Sequence, residues 1–518
     1  MQPPVSTPDQ IIAKPTWFLL PSITDLIFIL LLIAFAYGAL SPRLLWDGDI
    51  GWHIRDGQNI IATHAIPRAD SFSATMSGQP WYAWEWFYDL GVGWIYGHVG
   101  LNGVVLFSAF VIALTLALVF RFSRLRGGSV IATAVLFLIC IVACSIHFLA
   151  RPHVVSWLIT VVWFWIADSS YRRNGPRDYG IWWLPLLMLL WANLHGGFVM
   201  GLVLLGIFLV ADLLKLLRCR DPEQRQTASQ HARRLGAIFG LSAIASLINP
   251  YGYKLHVHVS QYLANRFLMQ HIDEFRRPNI RGLPMQFFLL LVVLTLVGIF
   301  VARAKLRWVE WLLILFSAIS GLYAARNIPG AAMLLTMIAA SLFSRGTIGS
   351  WPLLTRLQAF PSRMDNLEMR LRGHLWPILL VLFSTTICFH QGTLFGKPVM
   401  DAHFDAKRFP ARAVDVLQQR GIREPVFTLD SWGGYLIYRL YPQVTVFIDD
   451  RHDFYGEPYL RDYLKVLHIE PGWNQVLGRL GVKLVLVPAK SKLGDALQHE
   501  PGWKATYSDD VARVFERT

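Results

Sequence analysis

Two aspartates stand two residues apart in the run Trp46-Asp47-Gly48-Asp49-Ile50-Gly51-Trp52-His53. Asp49 and His53 are four apart, so a helix beginning here puts both on one face. A carboxylate so placed can take the proton of a hydroxyl nucleophile, or hold a divalent cation that neutralises a phosphate leaving group. The chain continues through Arg55, Asp56, His64, Arg68 and Asp70 to Trp81-Tyr82-Ala83-Trp84-Glu85-Trp86. Further on, Arg151-Pro152-His153, Asn193-Leu194-His195, Glu274-Phe275-Arg276-Arg277 and Arg326-Asn327 interrupt otherwise apolar sequence. Guanidinium groups grip phosphate as two-pronged forks. Acids beside arginines and histidines are the groups that a transfer from a phosphate-linked donor needs.

Each of these residues also has a purely structural explanation. Asp47 or Asp49 can cap the helix that follows. Glu85 can be a solvated carboxylate in an interfacial tryptophan cluster, and Arg151 and His153 a loop end held by lipid headgroups or backbone carbonyls. His195, beside Gly196-Gly197, suits a tight turn, and Arg326-Asn327 suits a helix end before Pro329. Their shared placement decides between the two readings, and that placement depends on the elements that carry them.

The chain of 518 residues is 54% hydrophobic and 16% charged, against about 25% charged for a soluble domain. That surplus of apolar surface has to face lipid. A span needs about 20 mostly apolar residues. Such runs fall near 20–40, 101–120, 129–149, 153–169, 181–194, 197–217, 235–249, 285–303, 308–325, 328–344 and 374–391, about eleven in all. The N-terminal Met1–Trp17 is polar and lacks a small-residue cleavage site, so the first run reads as an uncleaved span. The four cysteines show neither disulfide nor zinc spacing.

Arg121, Arg124 and Arg126 lie between spans two and three, and Arg172, Arg173 and Arg177 between four and five. Basic clusters recur at Lys215–Arg234, at Arg303–Arg307 and at Arg345–Arg372, always in every second connection. The positive-inside rule then predicts a cytoplasmic N-terminus and an outer C-terminus. The same pattern explains the net charge of +14 without a nucleic-acid partner. All the candidate residues above fall in the outer connections, near the membrane surface, where polar groups are costly and tend to be functional. The fold expected is a polytopic α-helical membrane protein. It divides into a transmembrane part, 1–391, whose first outer loop is 41–100, and a soluble extracytoplasmic α/β domain, 392–518. In that tail, helices at 411–420, 433–440 and 458–467 alternate with strands at 425–429, 444–448 and 483–487.

At Asp47-Gly48-Asp49-Ile50-Gly51-Trp52-His53, Ile66-Pro67-Arg68-Ala69-Asp70, Gly78-Gln79-Pro80 and Trp84-Glu85-Trp86 the chain resembles the membrane glycosyltransferases of the C superfamily (GT-C), bacterial type. Arg151-Pro152-His153, Trp191-Ala192-Asn193-Leu194-His195-Gly196-Gly197, Trp432-Gly433-Gly434-Tyr435 and Phe447-Ile448-Asp449-Asp450-Arg451 extend the likeness. The resemblance implies an inverting transfer from a polyprenyl-phosphate-sugar to a lipid, glycan or protein acceptor, at the outer face of a bacterial inner membrane and among membrane lipids. It implies a first loop with two amphipathic helices. Asp47 or Asp49 takes the family's acid position as base or as ligand to Mg or Mn, with His53 and Glu85 beside it. Arg151, His153, His195, Arg326, Arg276 and Arg277 are then candidates for the donor phosphate. The long signature of oligosaccharyltransferases is not evident, and Trp432-Gly433-Gly434-Tyr435 only echoes it.

Two other classes compete. A transporter or flippase for lipid-linked glycans should carry ionisable residues mid-span, whereas Asp25, Asp168 and Asp212 sit near run ends. A non-catalytic glycan-binding protein would use Asp430 and Asp449-Asp450-Arg451-His452-Asp453, which follow predicted strands.

Overall fold

A computed structural model describes residues 19–173, 179–302, 306–345 and 373–518, together with Glu368 and Leu371. Met1–Trp17, Arg177, Arg303, Lys305 and most of the basic stretch from 346 to 372 lie outside the described residues. Each of the eleven predicted runs coincides with helix. Six helices are long and apolar enough to cross a membrane, among them Trp86–Leu125, Val130–His147, His153–Arg172 and Ala325–Ser344. Four further apolar helices, Ile23–Ala36, Gly180–Ala192, Trp308–Tyr323 and Leu375–Phe389, are shorter. The architecture is that of a polytopic helical membrane protein.

Two boundaries differ from expectation for identifiable reasons. The second run begins at Trp86 rather than at 101, because the second helix of the first loop runs straight into it. Gly100 marks the join with φ 64°, a conformation that side chains with a Cβ resist. The seventh run lies within Pro222–Ser246, a helix started by the Asp221 side chain accepting from the Glu223 N–H. Its first half is polar and carries Arg225, Arg233 and Arg234 of that basic connection.

The other helix of the first loop, Ile50–Thr63, is amphipathic and buries Ile50, Trp52, His53, Ile54 and Ile60. It crosses Trp86–Leu125 at bare backbone. A Cβ on Gly93 would stand 2.5 Å from the carbonyl carbon of Gly57.

Past the last apolar helix, a two-residue hairpin (β1 Thr393–Leu394, β2 Lys397–Pro398) leads into a four-stranded sheet. Its strands are β3 Val426–Phe427, β4 Leu484–Pro488, β5 Trp503–Ser508 and β6 Ala512–Arg517, in the order β3-β4-β6-β5. β3 and β4 are parallel, and the other pairs antiparallel. The expected strand at 444–448 is reduced to bridges, Val446 pairing with Val426 on one side and with Ser73 of the first loop on the other. The loop therefore adds an edge to the C-terminal sheet, through Ala74 N–H to Val446 O (2.8 Å) and Val446 N–H to Phe72 O (3.1 Å).

A second contact between the two parts is tighter. The loop helix Ile50–Thr63 meets the C-terminal helix Asp430–Leu440 at glycine backbone. A Cβ on Gly51 would stand 2.3 Å from the Gly434 carbonyl oxygen, and one on Gly434 would stand 2.5 Å from that of Gly48. Arg55 reinforces the contact by donating from Nε to the Tyr438 carbonyl at 3.0 Å. The two glycine motifs singled out in the sequence are thus the two halves of one interface.

Arg451 anchors the same junction. It forks onto Asp449 (2.8 and 2.7 Å), pairs with Asp70 of the loop at 2.7 Å, and lies 4.7 Å from the Trp81 ring and 5.2 Å from Phe72. At the opposite end of the bundle, buried Arg126 pairs with Asp168 and Glu310.

Gly434→Ala should destabilise the protein by about 1–3 kcal/mol, because a methyl group meeting backbone cannot be absorbed by a rotamer change. Gly236→Ala, in an open helical position, should be neutral or slightly stabilising. Thermal melts of the detergent-solubilised variants test the contrast, and equal melting points would contradict it.

Candidate active site

Asp49 precedes the first turn of Ile50–Thr63, and Asp47 sits two residues before it, in the turn that follows the short helix Ser41–Leu44. The Asp49 N–H donates to Asp47 Oδ1 (3.1 Å), which draws the two carboxylates together. Arg151 arrives from the tight turn before His153–Arg173 and spans both acids, Nη1 to Asp47 Oδ2 at 2.9 Å and Nη2 to Asp49 Oδ2 at 2.6 Å. Glu274 lies 4.0 Å from Arg151 and 3.6 Å from Arg326, whose guanidinium stacks 4.3 Å from the Phe275 ring. The result is an alternating chain of acid and base drawn from four separate connections.

The C-terminal part supplies another wall. Asp450 brings a carboxylate oxygen within 4.8 Å of one each from Asp47 and Asp49, and Asp430, Asp450 and His452 form a second group of the same tightness. These residues border a cleft of about 880 Å³. Its lining includes Asp47, Arg151, Glu274, Asp450 and His452, the rings of Trp46, Tyr262 and Trp432, and the apolar side chains of Ile146, Leu149 and Ile272.

Enclosure sets the charges here. Burial pushes the Asp49 carboxyl well above the usual range, against the pull of Arg151 and with help from Asp450 and Asp47. Burial likewise moves Asp450 to about 8. For Glu274 burial works upward, but the Arg326 and Arg151 guanidiniums win and hold it well below an ordinary glutamate. Arg151 stays firmly cationic, since Asp49, Asp47 and Glu274 outweigh its own desolvation.

A second cluster lies behind this one. Glu85 stands 3.8 Å from His53 Nε2 and 3.5 Å from His195 Nε2. His53 Nδ1 bonds to Asp89 at 2.5 Å, and His195 Nδ1 accepts from the Gly197 N–H at 2.9 Å and meets Ser156 Oγ at 2.8 Å. Burial lowers His53 well below its ordinary value and takes His195 to about 3, so both rings are neutral at pH 7. Burial also raises Glu85 to about 8, aided by Asp453 and Asp49 and opposed by Arg151. A protonated carboxyl between two neutral imidazoles is the arrangement that results.

The structure therefore places Asp47 and Arg151 on the cleft wall, with Asp49 buried beneath them and Arg326 joined through the wall residue Glu274, and gathers His53, Glu85 and His195 behind. His153 does not line the cleft; its Nε2 donates to the His147 carbonyl at 2.9 Å. Arg276 and Arg277 are exposed and line it no more than His153 does, and Arg276 pairs with Asp273 at 2.9 Å. Sequence reasoning placed Asp450 in a separate tail. Its signal was the acidic run after a strand, and its partner Asp49 lies about four hundred positions earlier in the chain.

For a divalent cation, the carboxylates of Asp47, Asp49 and Asp450 form a hard-oxygen set of the kind Mg or Mn prefers. Arg151 already engages one oxygen each of Asp47 and Asp49. The other oxygen of Asp49, Oδ1, is buried without a hydrogen-bond donor. One arginine against three carboxylates leaves room for a divalent charge, and the set fits a metal ion.

The sequence matches no protein-family model and no curated protein. Solved structures do match. The apo oligosaccharyltransferase of Archaeoglobus fulgidus superposes with a TM-score of 0.55 at 12% identity, over 93% of this chain and 71% of that one. The same enzyme tethered to an acceptor peptide containing the NVT sequon gives 0.56 at 13%, over 98% and 74%. ArnT from Cupriavidus metallidurans bound to undecaprenyl phosphate gives 0.49 at 13%, over 95% and 97%. At these identities the likeness is one of fold. The chain shares its fold with the Archaeoglobus fulgidus oligosaccharyltransferase.

The raised Glu85 makes a signed prediction. Its folded state holds a proton that the unfolded chain gives up near 4.5, so the stability it contributes is present below 4.5 and is lost as pH rises to about 8. Relative to Glu85→Gln, which mimics the protonated carboxyl, the wild type should therefore lose melting temperature progressively across that window. A constant offset between the two proteins would contradict the assignment.

Proposed function

We propose that this protein is a GT-C-type glycosyltransferase that moves a sugar from a polyprenyl-phosphate-linked donor to a hydroxyl of a lipid, glycan or protein acceptor. The observation that carries the reading is Asp47 on the wall of an 880 Å³ cleft, paired with one nitrogen of an arginine from a distant loop whose other nitrogen holds Asp49. A cavity that joins a carboxylate, a phosphate-binding cation and an apolar wall suits a phospholipid-linked sugar, and the carboxylate on its wall adds a base that a flippase for lipid-linked glycans would not need.

In this mechanism Asp47, which faces the cleft, takes the proton of the acceptor hydroxyl. The freed oxygen attacks the anomeric carbon on the side away from the phosphate, and the carbon–oxygen bond to phosphate breaks as the new bond forms. One displacement inverts the configuration. The phosphate leaves with the bonding pair, and Arg151 stabilises it. Arg151 is held at this spot by Asp49 and Glu274, and Arg326 steadies Glu274. Ile146, Leu149 and Ile272 form the apolar side along which the first isoprene units lie. A bound Mg or Mn would add Lewis-acid neutralisation of that leaving group. The pattern of basic connections supports a cytoplasmic N-terminus, with the cleft and the C-terminal domain (392–518) outside a bacterial inner membrane.

Membrane vesicles carrying the full chain, supplied with a polyprenyl-phosphate sugar labelled in the sugar, should move label to acceptor material. Asp47→Asn should cut that transfer by about 10²–10⁴-fold, the range for loss of a general base. Unchanged transfer in a well-expressed Asp47→Asn protein would remove the mechanism.

A further inference from the structure

The acidic cluster at the cleft is assembled from two parts of the chain, and the later part contributes Asp450. We propose that Asp450 is the ligand that completes a divalent-cation site with Asp49 and Asp47, so that the C-terminal domain closes a metal centre whose other half belongs to the first loop. This deepens the proposed function, but it is a statement about cation binding and is testable without any transfer.

Four observations converge on it. One carboxylate oxygen from each of the three residues lies within 4.8 Å of the others, close enough to share one ion. Asp49 is 1% exposed; among the described residues its Oδ1 has no N–H or alcohol donor, and besides Arg151 its carboxylate meets the Asp450 carboxyl, whose shared proton a cation would replace. A buried carboxylate oxygen left without a donor is costly, and a cation answers that need. Arg151 uses only the Oδ2 atoms of Asp47 and Asp49, so Asp49 Oδ1 remains available. Finally, Asp450 is held in place by rigid neighbours. Its preceding residue Asp449 is clamped by Arg451 and Tyr455, and the backbone at Ile448 packs 2.3 Å from where a Gly433 Cβ would be.

Asp450 also belongs to a second acidic group with Asp430 and His452. That position is the weaker one. Asp430 already bonds His452 Nε2 at 3.1 Å and is therefore satisfied. The Tyr463 hydroxyl further fixes this pair by accepting from the Asp430 N–H at 2.8 Å. The cation belongs on the Asp49 side of Asp450.

The site makes the two parts interdependent. Separating the C-terminal helix Asp430–Leu440 from the loop helix Ile50–Thr63 would remove one ligand of three. Cation occupancy should therefore tighten the junction that the glycine contact forms.

The test is Mn²⁺ binding to the purified full-length protein in detergent, read by electron paramagnetic resonance of free Mn²⁺ and by the thermal shift Mn²⁺ produces. Wild type should bind and be stabilised. Asp450→Asn and Asp49→Asn should each weaken binding by about tenfold or more and lose the thermal shift. Asp430→Asn should bind like wild type. Melting points in EDTA show whether each variant is folded, and Asp450→Glu, which keeps the charge on a longer arm, provides a second reading at that position. Binding that survives both Asp450 substitutions overturns the proposal, as does binding lost in Asp430→Asn but kept in Asp49→Asn. Wild type that binds no Mn²⁺ overturns it as well, and sugar transfer measured in EDTA then shows separately whether the glycosyltransferase reading stands.

Discussion

The distance between two helices governs the candidate site. Ile50–Thr63 and Asp430–Leu440 touch backbone to backbone, with Gly48 and Gly51 on one side and Gly434 on the other. Helices with ordinary side chains at the contact keep their axes 8–10 Å apart, and glycines let them approach more closely. That approach seats the Asp449–Asp450 turn against the Asp47–Asp49 turn. The β-bridges through Ser73 and Val446 and the Arg451–Asp70 pair fix the rotation about the contact. The cleft is the space that remains when these three constraints are met together.

Charge placement follows from the same closeness. Asp49 is buried beside another carboxylate, a combination that on its own would expel a charge. Burial accordingly holds Asp49 well above the usual carboxylate range; Arg151, spanning Asp47 and Asp49, opposes that rise without reversing it, and Glu274 and Arg326 carry the alternation outward. Removing one member of such a chain exposes the next to an unpaired neighbour, which costs more than the single ion pair contributes. Behind it, the Glu85 carboxyl and the neutral His53 and His195 rings show the other solution to burial, in which groups give up charge instead of pairing. The two clusters stand side by side, one built around the charged Arg151–Glu274 pair and opening through Asp47 to the cleft, one neutral and enclosed.

Much of this was legible in the order of residues. Hydropathy located the eleven helical runs, because a lipid-facing helix cannot hide its composition. The alternation of helical and strand-like runs located the tail helices near 411–420, 433–440 and 458–467 and two of its four sheet strands, β3 and β4. The Asp-Gly-Asp run, Arg151, His195 and Glu85 stood out as polar groups where polarity is costly. The strand at 444–448 was only half right, since its neighbours come from β3 and from the first loop, and neither pairing leaves a local trace. Arg276 and Arg277 misled because an arginine pair in a connection looks the same whether it faces a cleft or water.

The sequence by itself determined membrane residence, the helical runs and the kinds of chemistry available, since each is written in composition and short-range spacing. Only the tertiary structure decided which acids meet which arginines. Asp47 reaches Arg151 across about a hundred positions, and Asp49 reaches Asp450 across about four hundred. Pairings at that separation depend on how whole helices pack, and no local pattern encodes a packing distance. The glycines that permit the approach were visible in the sequence; that they face one another was not.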